Sequence, residues 1–192
     1  MTVRRASSAV LIVLVLVLPV SGHAGPITEQ LTADIGRIFS TLADPGLPPG
    51  TDGRRQAVRR ISAGLFDWAG MARHALGRHW DGRTEAERTE FERLLAGLVD
   101  AHIVALERYA GAGIEYVGES VDGERATVKT RVSAHRGRPL SLDYWMVRRE
   151  RRWLIDDVVM ENASLVRNYR EQFDRIIKTS SYEKLIEQLA VQ

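Results

Sequence analysis

Residues Arg125–Met160, RATVKTRVSAHRGRPLSLDYWMVRRERRWLIDDVVM, run almost entirely in period two. Val128, Thr130 and Val132 alternate with Lys129 and Arg131, the pattern of a strand with one wet face. His135–Arg138 makes a turn. Leu142, Tyr144 and Met146 then share a face, with Asp143, Trp145 and Val147 on the other. Glu150-Arg151 is a tight connection into Arg152–Met160. Just upstream, Ile114–Gly118 reads as a short strand and Asp122-Gly123 as a hairpin signal. Links this short predict an antiparallel meander of four strands.

Helices flank the meander on both sides. Ile27, Leu31, Ile35, Ile38, Phe39 and Leu42 recur at helical spacing. Asp44–Gly53 (DPGLPPGTDG) is a loop, followed by a short basic helix Arg54–Ile61 and a helix holding Trp68, Met71 and Leu76. Thr84–Glu87 is a capping box that opens the longest helix, predicted to about Tyr109, with Phe91, Leu94, Leu95, Leu98, His102 and Leu106 on its apolar side. Gly111 and Gly113 end it. Two helices close the chain, Ser164–Ile177 and one after Ser180, where Ser180 and Glu183 form a second capping box. A sheet backed by helices from both chain ends is an α+β arrangement. The residues alone leave open whether its curved face closes over a filled core or a pocket.

The N-terminus speaks for compartment. Arg4 and Arg5 precede the apolar run Ala9–Val20, and Gly22-His23-Ala24 is a small-x-small cleavage pattern, so residues 1–24 read as an export signal cut after Ala24. The run is shorter than the ~20 residues a spanning helix needs. Removing 24 of 192 residues leaves 168, residues 25–192, enough for one domain. The 27 basic residues lose Arg4 and Arg5 and become 25, against 25 acidic ones. That balance argues against nucleic acid as a partner. The chain has no cysteine, which excludes disulfides, thiolate metal sites and Cys nucleophiles.

Groups able to do chemistry are sparse. His74 and His79 are five apart, about 140° round a helix, and do not share a metal. His102 reads as a hydrogen-bonded core residue and His135 as a solvated turn residue. Asp143, Asp156 and Asp157 stand in strands, where Asp is disfavoured, and adjacent Asp156 and Asp157 point to opposite faces. An inward Asp either pairs with an arginine such as Arg148 or Arg170 or serves as the base of an isomerase-like enzyme. Neither a phosphate-binding glycine loop nor a nucleophile elbow occurs. Only three lysines (Lys129, Lys178, Lys184) accompany the many arginines; Arg73, Arg78, Arg167 and Arg170 lie beside the aromatic-rich stretches, where a guanidinium suits a phosphate.

Three segments carry a family resemblance over nearly all of residues 27–192. FDWAGMARHALGRHW (Phe66–Trp80) resembles an FDFxxMAxxxLGxxW segment, WLIDDVVMENASL (Trp153–Leu165) a WKVYDVxVEGVSL strand and turn, and SLVRNYREQF (Ser164–Phe173) an SLVxNYRxQF helix. In that order, and with the helix from Thr84 between them, they resemble the MlaC, or toluene-tolerance, family of periplasmic phospholipid-binding proteins. Asp156 replaces a usual aromatic, and Asn162 stands for a usual Gly, which Asn best replaces in a left-handed turn.

The resemblance implies a four-stranded curved antiparallel sheet and helices enclosing an apolar pocket for phospholipid acyl chains. It implies a carrier, not an enzyme, with no catalytic residue, metal or cofactor. The implied partners are an inner-membrane ABC transporter complex with a lipid-binding ring and an outer-membrane lipoprotein–porin complex, and the implied role is outer-membrane lipid asymmetry. The expected pocket lining is Phe66, Met71, Leu76, Leu95, Leu98, Val128, Tyr144, Met146, Val159, Tyr169 and Phe173. A polycyclic lipid such as a hopanoid is an alternative cargo. A small-ligand enzyme with a buried Asp and an adaptor protein with a filled core are the other classes.

Overall fold

The computed structural model describes residues 25–105, 113–133 and 139–191. The expected leader 1–24, Leu106, Tyr109, Gly111 and the expected turn His135–Arg138 lie outside them. Among the described residues, no helix is long and apolar enough to cross a membrane.

Local capping sets the helix starts. α1 (Pro26–Ala43) opens on a proline in its first turn and buries Ile27, Leu31, Ile35, Ile38 and Leu42. α2 (Asp52–Ser62) begins two residues before the expected basic helix, because the Thr51 hydroxyl accepts from the Arg54 N–H at 3.4 Å. α3 (Trp68–Leu76) passes into a 3-10 turn, Gly77–His79. α4 (Glu85–Ala105) opens on the expected capping box: the Glu87 carboxylate accepts from the Thr84 N–H at 2.7 Å, and Thr84 Oγ1 accepts from the Glu87 N–H at 3.3 Å.

The expected apolar side of α4 needs correction. Phe91, Leu94 and Leu95 are buried, but Leu98 is half-buried and His102 is exposed, while Val99 and Ile103 are buried instead. The buried side rotates because the second half of α4 is held against α2: the buried Asp100 accepts from the Ser62 hydroxyl at 2.6 Å and from Arg59 Nε at 3.3 Å.

Five strands, not four, form one sheet in the order β1 (Gly113–Asp122), β2 (Arg125–Ser133), β3 (Leu140–Arg149), β4 (Arg152–Met160), β5 (Ala163–Ser164), all antiparallel. β5 is two residues long, too short to leave an alternation in the sequence. It folds back on Val159 and Met160 through Glu161 and Asn162, at φ 47° and 67°. Two left-handed residues in a two-residue loop are what a tight hairpin requires, and Asn162 supplies one without a glycine. The β1–β2 turn is Gly123-Glu124, one residue beyond the expected signal, with Gly123 at φ 59°.

Two strands carry an extra residue. Val117 interrupts the register of β1 between Tyr116 and Gly118, which lets that strand run on past the expected Gly118. Asp156 does the same in β4: Met146 faces Ile155, and Trp145 faces Asp157. Such bulges bend a strand and increase its twist.

β4 is joined to the helices on both sides of the bulge. Asp67 N–H donates to the Ile155 carbonyl and Ile155 N–H to the Leu65 carbonyl, each at 2.9 Å, a parallel bridge that ties the FDW segment to the sheet. Asp157, buried, binds no arginine among the described residues: it accepts from the Val158 N–H (2.8 Å), the Val166 N–H (3.0 Å) and the Ser164 hydroxyl. Ser164 Oγ in turn accepts from the Arg167 N–H at 3.0 Å and caps α5 (Leu165–Thr179). Of the arginines expected as partners, Arg148 pairs with Glu124 at 3.5 Å, and Arg170 lies against Gly77. α6 (Tyr182–Ala190) is capped by Ser181, not Ser180, its hydroxyl accepting from the Lys184 N–H at 3.2 Å; Ser180 ends α5.

Asp157→Ala strands the Val166 N–H and the Ser164 hydroxyl in a buried site. It lowers stability by about 2–3 kcal/mol, measured by urea denaturation. An unchanged midpoint would refute the joint.

Candidate functional site

The inner face of the sheet follows from its cross-strand pairs. Ala126 faces Met146, Val128 faces Tyr144, Thr130 faces Leu142 and Val132 faces Leu140. Directly opposed residues share a face. Ala126, Val128, Tyr144, Met146 and Ile155 are buried with Phe66, Met71, Leu76, Leu95, Tyr169 and Phe173 in one apolar cluster. Nine of the eleven residues expected to line a pocket therefore meet in this interior. Leu98 is half-buried and packs against it. Val159 does not share the face of Tyr144: the bulge at Asp156 sets it opposite Asp143, and it is buried outside the cluster.

The interior is graded along the strands. At the Ile155 end it is filled. Toward the other end Ile114, Tyr116, Leu142 and Val158 are only half-buried against the same cluster, and Met160 is 53% exposed. These residues make an apolar shelf that continues the floor of the interior. Val158 and Met160 carry no expectation of a site, because the face on which each lies is decided by the register across the bulge. Leu142 was legible as an inward residue; Ile114 and Tyr116 join it only through the pairing of β1.

Aromatic rings line the helix side. Tyr169 stacks on Phe173 at 5.5 Å and 3°, and Phe173 meets Phe91 edge-on at 5.6 Å. His102 Nδ1 donates toward the Leu98 carbonyl at 2.8 Å, with the Tyr169 hydroxyl oxygen 3.1 Å from the same nitrogen. Burial pushes the Tyr169 phenol up to about 12, and the Tyr144 phenol, deeper still, further up. Both phenols stay protonated at neutral pH.

The polar groups gather elsewhere. A cleft of about 610 Å³ between α3 and the β3–β4 end is lined by Asp67, Arg73, His74, Arg125, Arg149 and Asp156, among others. Arg149 donates to one oxygen of the buried Asp67 through Nε (3.1 Å) and Nη2 (2.6 Å). His74 lies 3.5 Å from Asp156. Burial raises the Asp156 carboxyl above the ordinary carboxylate range, with His74 opposing and Asp67 reinforcing the rise. Asp156 thus titrates in a charged cleft, away from the apolar interior. Asp143 is half-buried opposite Lys129 on the other sheet face. The two helix histidines diverge: His79 Nε2 sits 2.9 Å from Asp174. Among the described residues, no group of three or more His, Asp or Glu side chains is placed to hold a metal ion. What the apolar cluster can do is enclose apolar matter.

A family model described as MlaC protein matches residues 34–191. A solved structure of a phospholipid-binding protein from Ralstonia solanacearum, in complex with a phospholipid, is similar with a TM-score of 0.73 at 20% identity. The likeness covers 84% of this chain and 93% of that one. No curated protein matches the chain.

Because its folded-state affinity for a proton is raised, ionised Asp156 opposes folding above that raised value and ceases to oppose it once protonated. Asp156→Asn therefore has a urea midpoint equal to or above that of the unsubstituted protein at pH 7, and the difference shrinks as acidification protonates the carboxyl. A variant clearly less stable at pH 7 would show that the charge is needed.

Proposed function

The chain belongs to the MlaC family, and from that premise we propose that it carries phospholipid through the periplasm, enclosing the acyl chains between sheet and helices. Residues 1–24 act as the export signal, cut near Ala24, and residues 25–192 are the single lipid-binding domain. The carrier receives and delivers its cargo at an inner-membrane ABC transporter complex with a lipid-binding ring and at an outer-membrane lipoprotein–porin complex. That traffic supports outer-membrane lipid asymmetry. No covalent step is involved.

The observation that carries the reading is the graded apolar interior: a filled floor at Val128 and Tyr144 running out to the half-buried Leu142, Tyr116 and Ile114. The shared fold of a protein named for phospholipid binding supports the cargo class. Each CH₂ kept from water contributes about 0.8 kcal/mol, so one ordinary tail gains on the order of 10 kcal/mol by entering. Tails enter at the shelf and part the Tyr144, Leu98 and Tyr169 side chains as they advance, with Phe66, Met71, Leu76, Leu95, Met146 and Phe173 lining the far end. Met71 and Met146 suit that repacking, since thioether side chains adapt to irregular shapes. Val159 braces the β4–β5 corner.

Native mass spectrometry of detergent-free protein, followed by lipid extraction, tests the proposal. A bound mass equal to a diacyl phospholipid is expected. A polycyclic lipid would change the cargo, and a protein that neither carries lipid nor takes it up from phospholipid vesicles is no carrier. In Leu98→Glu the carboxylate meets the tails, and the loaded fraction falls by roughly tenfold with circular dichroism unchanged. Full loading would remove Leu98 from the path.

A further inference from the structure

Three arginines singled out by the sequence converge on a second cleft, of about 290 Å³, lined by Leu76, Arg78, Arg167, Arg170, Glu171 and Asp174. Of its two carboxylates Asp174 is already occupied, whereas Glu171 is exposed and has no ion pair among the described residues. Asp174 is held by Arg78 at 3.0 Å, His79 Nε2 at 2.9 Å and Lys178 at 2.9 Å. Hydrogen bonds from Lys178 and His79, with the charge of Arg78 behind them, hold its carboxyl down at about 2. Among the described residues, Arg167 and Arg170 have no carboxylate at ion-pair distance, although both project from one side of α5 three residues apart.

Arg170 is also positioned. A Cβ at Gly77 would come within 2.6 Å of Arg170 Nε and 3.1 Å of its Cζ, so the guanidinium lies flat against a backbone kept bare for it. Gly77 sits at φ 52° and ψ −122°, a conformation that side-chain-bearing residues rarely adopt. The result is an exposed guanidinium packed against Gly77 at the cleft wall, a second exposed guanidinium one turn away, and an apolar floor at Leu76. Two forks with free donors match the oxygens of a phosphate, and charge-assisted bonds of this kind are the strong ones.

We infer that Arg167 and Arg170, with Arg78 at the rim, form a binding site for a phosphate group, supplied by a phospholipid headgroup or by free phosphate. This site is separate from the acyl-chain shelf, and probes without tails read it independently of the carrier function. The probes are glycerophosphoglycerol, the deacylated headgroup of phosphatidylglycerol, and inorganic phosphate, each titrated by calorimetry at low salt. At least one binds, and Arg167→Gln/Arg170→Gln weakens it about tenfold or more. Arg175→Gln, an exposed arginine on the same helix, leaves binding unchanged and controls for net charge. Tighter glycerophosphoglycerol marks the headgroup as the source, and tighter inorganic phosphate marks the free anion. If neither probe binds, or the double variant binds as before, the site does not exist. Binding of polyglutamate alone, lost in the double variant, would also overturn it and make the arginines a contact for an acidic protein. Lipid occupancy by native mass spectrometry reports the carrier reading in the same samples.

Discussion

A single carboxylate holds the layers in register. Asp157 sits in the middle of a strand, where its residue type is disfavoured, and is stable there because three donors converge on it, one from its own strand and two from the start of α5. Charge at the first turn of a helix is also favoured by the helix dipole. The joint fixes where α5 begins and hence where its two sides point. Tyr169 and Phe173 then fall into the interior, and Arg167 and Arg170 fall outside it. An apolar pair at the same place would fill volume but would not set the helix phase.

The interior is built to be incomplete. An enzyme cavity usually concentrates a few polar groups at its base, whereas here the two charged clefts lie outside the interior and the inner sheet face carries Ala126, Val128, Thr130, Leu142, Tyr144 and Met146. The tyrosines bring hydroxyls, but burial holds both phenols protonated far above neutral pH. Such a surface discriminates by hydrophobicity and shape, which suits cargo that varies in chain length.

Much of this was legible in the sequence because it rests on short-range rules. The change of period at Ile114, the Thr84–Glu87 box and the Asn162 turn are each decided within a few residues. Nine of the residues expected to line a pocket fall in the buried apolar cluster, because alternation and helical spacing decide which side chains point inward. What escaped depended on distant partners. The face of Val159 is set by a bulge that cannot be seen without the opposing strand, and the exposure of His102 by the way Asp100 draws α4 toward α2. Ser181 took the cap from Ser180 by a one-residue choice that local spacing does not decide. The partner of the buried Asp was sought among arginines because charge seeks charge; backbone N–H groups supplied it instead.

The bulge at Asp156 has a consequence for how this strand tolerates change. Without it, Ile155 and Asp157 would share a side, and β4 would have to choose between the helical interior and the α5 corner. With it, the strand serves both, handing Ile155 to one and Asp157 with Val159 to the other. What matters at position 156 is then that its residue is left out of the pairing, more than which residue it is. Exchange of its side chain touches only the charged cleft, and loss of the residue would leave Ile155 and Asp157 on consecutive pairs and opposite faces, whereas drawing it into regular pairing would turn the anchoring carboxylate away from its helix.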